Sequence, residues 1–120
     1  MTDQRAVTVL HVARAFSAQP TLGELLGDDV LVLEAPLADA LTRRSLHPDL
    51  IWVSTATADD VRSVRRQFPH ARVLATPRRA ATSDERVDLI GEADLVLLDE
   101  GVVLAAAGLQ ALSRRACAPV

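Results

Sequence analysis

Short runs of Val, Leu, Ile and Ala punctuate the chain at "AVTVLHV" (6–12), "VLVLEA" (30–35), "LIWVS" (50–54), "ARVLAT" (71–76) and "ADLVLL" (93–98). A strand that is apolar at nearly every residue has both faces covered, which predicts a parallel sheet between two layers of helices. Between the runs the spacing turns helical. In "ADDVRSVRRQF" the residues Val61, Val64 and Phe68 form one stripe, while Arg62, Arg65 and Arg66 face away. Thr57 with Asp60, Thr82 with Glu85, and Thr21 with Glu24 stand at the spacing of capping boxes. They predict helix starts ahead of that segment, of "RVDLIGEA" and of a short "LGELLG". Another helix is expected over "PLADALTRR" and a last one over "VVLAAAGLQALSRR". There Leu104, Leu109 and Leu112 mark the apolar side, Gly108 weakens the helix slightly, and arginines complement the macrodipole at its end.

The order is strand then helix, five times over, with no linker, internal repeat or low-complexity tract. That specifies one doubly wound α/β domain over residues 1–120, with the tail 116–120 expected to fray. Right-handed crossovers allow the flavodoxin-like strand order 2-1-3-4-5 with helices on both faces. Its crevice opens at the carboxyl ends of strands one and three.

Composition narrows the chemistry. Aromatic residues are 2% of the chain, so aliphatic side chains must fill the core. All 13 basic residues are arginine; without lysine there is no Schiff base and no P-loop. The 16 acids and 13 bases give a net charge of −3 with neither sign gathered into a block, which argues against direct binding to nucleic acid. Cys117 is the only cysteine, so neither an internal disulfide nor a Cys-x-x-Cys metal site can form. No run reaches the ~18 apolar residues of a membrane span, and the start lacks a leader-like core. A cytoplasmic, soluble protein without cofactor or metal is the expectation.

Several segments resemble the response-regulator receiver family across essentially the whole chain. "PDLIWVS" is similar to the third-strand "PDLVLLD" of that family, "ARVLAT" to its fourth strand, and "GEADLVLLDE" with "LAAAGLQALSRR" to its fifth strand and final helix. Receivers carry an aspartate phosphoacceptor after strand three, an acidic pair that holds Mg²⁺ after strand one, a Ser or Thr ending strand four, and a lysine ending strand five. By that resemblance the acceptor position falls on Ser54, the acidic pair on Ala13 and Arg14, the hydroxyl on Thr76 and the lysine on Asp99. Only Thr76 keeps the family's residue type. The family's switch tyrosine falls near Val96, and the chain has no tyrosine. Mg²⁺ needs oxygen ligands that Ala13 and Arg14 do not supply, and a serine hydroxyl is a poor nucleophile unless a base activates it. The resemblance therefore implies an atypical receiver without aspartyl-phosphate chemistry.

Individual residues keep two readings each. Ser54 is either a phosphate acceptor beside Thr55 and Thr57 ahead of a helix N-terminus, or a strand-end hydroxyl that bonds locally. Arg14 and Asp99 either form an ion pair that reverses the family's signs and closes the crevice, or are solvated at its rim. His11 reads as a core histidine bonded to backbone, and His47 and His70 as loop residues beside prolines. No Ser-His-Asp set can be ordered from these three histidines. Arg78 and Arg79 are either a phosphate-binding pair or solvated surface, and Cys117 a spectator in the tail.

Two functions compete. One is a phosphorylation-independent pseudo-receiver, not an enzyme, that regulates signal transduction by binding a protein, such as a signalling or transcriptional regulator. By family analogy its interface, homodimeric or otherwise, is strand five and the last two helices, where "LAAAG" would admit a partner helix. The alternative is a small-ligand or nucleotide-binding domain using Arg14, Ser54, Thr55, Thr76 and Arg78. The absence of a glycine-rich phosphate loop after strand one counts against it.

Overall fold

A computed structural model describes residues 7–13, 26, 30–42, 45–78, 80–97 and 102–117, with the backbone alone for 102, 103 and 113–117. Five parallel strands, β1 (Val7–Ala13), β2 (Val30–Pro36), β3 (Leu50–Ala56), β4 (Arg72–Pro77) and β5 (Leu95–Val96), form one sheet in the order β2-β1-β3-β4-β5. This is the flavodoxin-like 2-1-3-4-5 arrangement that the strand pattern predicts.

Strand parity divides the core into two layers. On one face Leu10, Val12, Ile51, Val53, Val73 and Ala75 pack against Val61 and Val64 of helix α2 (Ala58–Gln67) and Leu89 of α3 (Ser83–Glu92). On the other face Val9, Leu50, Trp52 and Leu74 pack against Ala105, Ala106, Leu109 and Leu112 of α4 (Val102–Cys117). Each fully buried aliphatic side chain contributes about 1.5–3 kcal/mol, so aliphatic residues carry most of both layers, with one aromatic in each, Phe68 and Trp52.

The starts of β3 and β5 are fixed by aspartates. Asp49 Oδ2 accepts the Thr8 amide at 2.9 Å, and the Asp49 amide donates to the Thr8 carbonyl at 2.9 Å. Asp94 repeats the device one strand over: its Oδ2 accepts the Val73 amide at 2.8 Å, and its amide donates to the Val73 carbonyl at 3.0 Å. Each carboxylate satisfies a backbone donor at a strand end and sets the register of the next strand. The Asp-Leu steps in "PDL" and "ADL" are the sequence signal of this clamp.

Of the three expected capping boxes, Thr57 and Asp60 form the complete reciprocal pair ahead of α2. Thr82 accepts the Glu85 amide at 3.2 Å, and the Glu85 carboxylate also bonds Arg78 at 3.1 Å. Thr21 and Glu24 lie outside the described residues.

Two expectations need correction. The helix over "PLADALTRR" is only one turn, α1 (Leu37–Ala40), because the Thr42 amide and hydroxyl both donate to the Asp39 carbonyl and close the segment. Leu104 does not join Leu109 and Leu112 in the core; it is 46% exposed, and Ala105 and Ala106 occupy the sheet-facing side. The small residues of "LAAAG" thus mostly serve their own sheet: a Cβ at Gly108 would lie 3.1 Å from Leu97 Cδ1 and 3.3 Å from Leu95 Cδ2. The backbone of the last helix runs to Cys117, and residues 118–120 of the expected tail lie outside the described residues.

Candidate functional site

At the carboxyl ends of the central strands, parity places Glu34, His11, Trp52, Ser54 and Thr76 on the α4 side of the sheet. Register aligns His11 with Glu34 on β2 and with Trp52 on β3, and Ser54 with Thr76 on β4. Side chains from four adjacent strands therefore meet in one row.

His11 is central to it. The imidazole stacks on the Trp52 indole with ring centroids 3.9 Å apart and planes 7° from parallel. Its Nε2 lies 3.0 Å from Ser54 Oγ and its Nδ1 3.5 Å from Glu34 Oε2. The ring is 12% exposed against 45% for Glu34, and burial pushes the His11 pKa down to about 4, so the imidazole is neutral at physiological pH. Trp52 Nε1 donates to Thr76 Oγ1 at 3.1 Å. Ser54 Oγ also lies 3.4 Å from the Val12 carbonyl, a long contact with backbone.

Beyond Ser54 the strand breaks. The register with β4 shifts between Ser54 and Ala56, and Thr55 has φ 49°, with its hydroxyl donating to the Ser54 carbonyl at 2.7 Å. A β-branched residue in the left-handed region is strained, and such bulges re-aim chains beside sites. Helix α2 begins two residues after the bulge.

The acceptor-equivalent Ser54 lies half-buried two residues before the end of β3, and Ala13 ends β1 buried and without an oxygen ligand. Arg14, Asp99 and Arg79 lie outside the described residues, and with them the reversed ion pair. Two residues of the ligand-binding alternative are placed otherwise than expected. Thr76 is fully buried beneath Trp52, so its hydroxyl braces the core instead of facing a ligand. Arg78 points along the surface to Glu85 Oε1 at 3.1 Å, and this contact holds the Glu85 carboxyl below the usual range. The cleft of about 620 Å³ that Arg78 shares with Thr55, Asp59, Arg62, Glu85 and Asp88 holds three carboxylates against two guanidiniums. Arg62 is likewise engaged, with Asp59 and with Glu92 Oε1 at 3.0 Å, and these carboxylates, Glu92 foremost, raise its pKa. Such a cleft does not attract a phosphate.

His47 and His70 occupy loops at the opposite, amino end of β3 and β4. Among the described residues no group of three metal-ligating side chains comes together. Sequence reasoning missed Glu34 altogether and took His11 alone. The available signal was parity: once the order is 2-1-3, "LHVA", "LEAP" and "WVST" align their polar members on one face.

Fold and site together define a doubly wound α/β domain whose crevice, among the described residues, carries imidazole and hydroxyl groups instead of a carboxylate cluster. No family model matches the chain, and no curated protein matches it. Among solved structures it is similar to a pilus assembly-related protein from Burkholderia pseudomallei, with TM-score 0.67 and 18% identity over 98% of this chain and 94% of that one. It is also similar to a pilus assembly protein, CpaE, from Burkholderia thailandensis, with TM-score 0.64 and 16% identity over 93% of this chain and 99% of that one. At such identities the likeness is one of fold.

Proposed function

We propose that the chain is a phosphorylation-independent pseudo-receiver, a regulatory module that acts by binding another protein and not by turnover. The observation that carries this reading is the combination of a receiver-like strand order with a crevice whose strand-end groups are consumed internally. Ser54 engages His11, Thr76 engages Trp52, and Ala13 offers no oxygen to Mg²⁺. Without a phosphate switch, what the fold offers a partner is surface. Val87 and Ile90 on α3 are 64% and 61% exposed, and Leu104 on α4 is 46% exposed. These helices cover opposite faces of the sheet beside the short edge strand β5, the region that the receiver resemblance marks as an interface. The pilus-assembly names of both solved structures suggest that the partner is a component or regulator of such an assembly.

The test is a pull-down from the native host with wild type and the double variant Val87→Glu/Ile90→Glu. Exposed substitutions of this kind change stability by about 0.5 kcal/mol or less, so the fold remains intact. A bound set retained by wild type and lost in the variant is expected. An identical set on both would place the interface elsewhere; no specific set at all, together with a strictly monomeric state by light scattering at high concentration, would remove the reading.

A further inference from the structure

The Glu34, His11 and Ser54 side chains lie in the order carboxylate, imidazole, hydroxyl, on three adjacent strands. We infer that Ser54 is an activated nucleophile, a site of covalent acylation by activated carboxylic esters or thioesters, with His11 as the base and Glu34 as the residue that positions it. It uses the same contact between His11 and Ser54 but does not require the pseudo-receiver reading.

The argument runs through the tautomer. With its proton on Nδ1, at ion-pair and not hydrogen-bond distance from the Glu34 carboxylate (3.5 Å), the imidazole presents a lone pair at Nε2, and Ser54 Oγ stands 3.0 Å from it. The Ser54 proton then points to nitrogen and not to the Val12 carbonyl, whose 3.4 Å distance makes it the weaker acceptor. Stacking on Trp52 fixes the ring plane, so the nitrogen lone pair is aimed before any ester arrives. The strand-to-helix turn is strained at Thr55, directly after the serine, as turns that present nucleophiles are, although it lacks their flanking glycines. Burial keeps His11 neutral at neutral pH and, with its pKa lowered to about 4, makes it a weak base, so the activation rests on position more than on basicity. In the step itself Ser54 Oγ bonds to the carbonyl carbon while its proton passes to His11 Nε2. The carbon–oxygen or carbon–sulfur bond to the leaving group breaks, that group departs with the electron pair, and His11 returns the proton to it. Acyl-Ser54 remains.

The probe is p-nitrophenyl acetate, followed by nitrophenolate release and by peptide mass mapping. The chain has no lysine, so acetyl-lysine is absent from the background, and acetyl on Cys117 and on the α-amino group is separated from Ser54 by peptide mapping. Acetyl on Ser54 of the folded protein is expected, absent in Ser54→Ala and slowed by about 100-fold in His11→Gln. Glu34→Gln, at the half-exposed sheet edge, is expected to slow it by about tenfold and to release the Nδ1–H tautomer, read from imidazole ¹⁵N shifts. No acetyl at Ser54, a rate equal to that of the unfolded chain, or a Glu34→Gln variant with unchanged rate and tautomer would overturn the inference. The Glu34 arm keeps the test decisive if His11→Gln fails to fold.

Discussion

Thr55 combines a β-branched side chain with φ 49°, and the hydroxyl that bonds the Ser54 carbonyl offsets only part of that strain. Glycine adopts this conformation freely, so Thr55→Gly is expected to raise unfolding stability by about 1 kcal/mol in urea titrations. His11 gives a second residue-scale expectation. The unfolded chain takes up its proton as pH falls through 6.5, whereas the folded chain holds the ring neutral down to about 4 between Trp52, Ser54 and Glu34. The contribution is therefore fully present above 6.5, drains away as pH falls between those values, and amounts to on the order of 3 kcal/mol. Urea unfolding at pH 7.5 and pH 5 should show wild type losing more stability than His11→Phe; equal losses would contradict the buried, neutral imidazole. At this scale the sequence was only half legible. Ser54 was visible as a strand-end hydroxyl, but its partner His11 lies 43 positions from it, and Glu34 on the far side of that imidazole 20 positions, and they become neighbours only through strand register.

Among the elements, α4 shows how a sequence signal acquires another meaning in the fold. Gly108 reads as a local weakness of a helix, and the adjoining alanines as room for a partner. In three dimensions Gly108 faces Leu74, Leu95 and Leu97, and sets how closely α4 lies on β4 and β5. Gly108→Val is expected to destabilise the domain by about 1–3 kcal/mol by overpacking, measured as a lowered denaturation midpoint with unchanged m-value. The strands and α2 were legible because apolar runs and a three-to-four residue stripe depend only on nearby residues. The length of α1 was not, since it ends through hydrogen bonds of Thr42 to Asp39 that compete with a continued helix. β5 likewise has two residues instead of the expected six, with Asp94 spent on clamping β4.

For the whole molecule, strand order and the two-layer core follow from the sequence pattern, while the function depends on what the carboxyl-end crevice has become. The sheet has the flavodoxin-like order, and the positions that the receiver resemblance assigns to metal and phosphate carry Ala13 and a histidine-bound Ser54. Under the proposed reading, the region beside β5 is a static interaction surface that no phosphorylation switches. Beryllofluoride with Mg²⁺ imitates an aspartyl phosphate and tests this most directly, by amide NMR of the labelled chain. The account requires that the resonances of Ser54, Thr55 and Thr76, and those of α3, β5 and α4, stay unmoved up to saturating beryllofluoride. Saturable shifts at the strand ends that spread to α3 and α4 would contradict it.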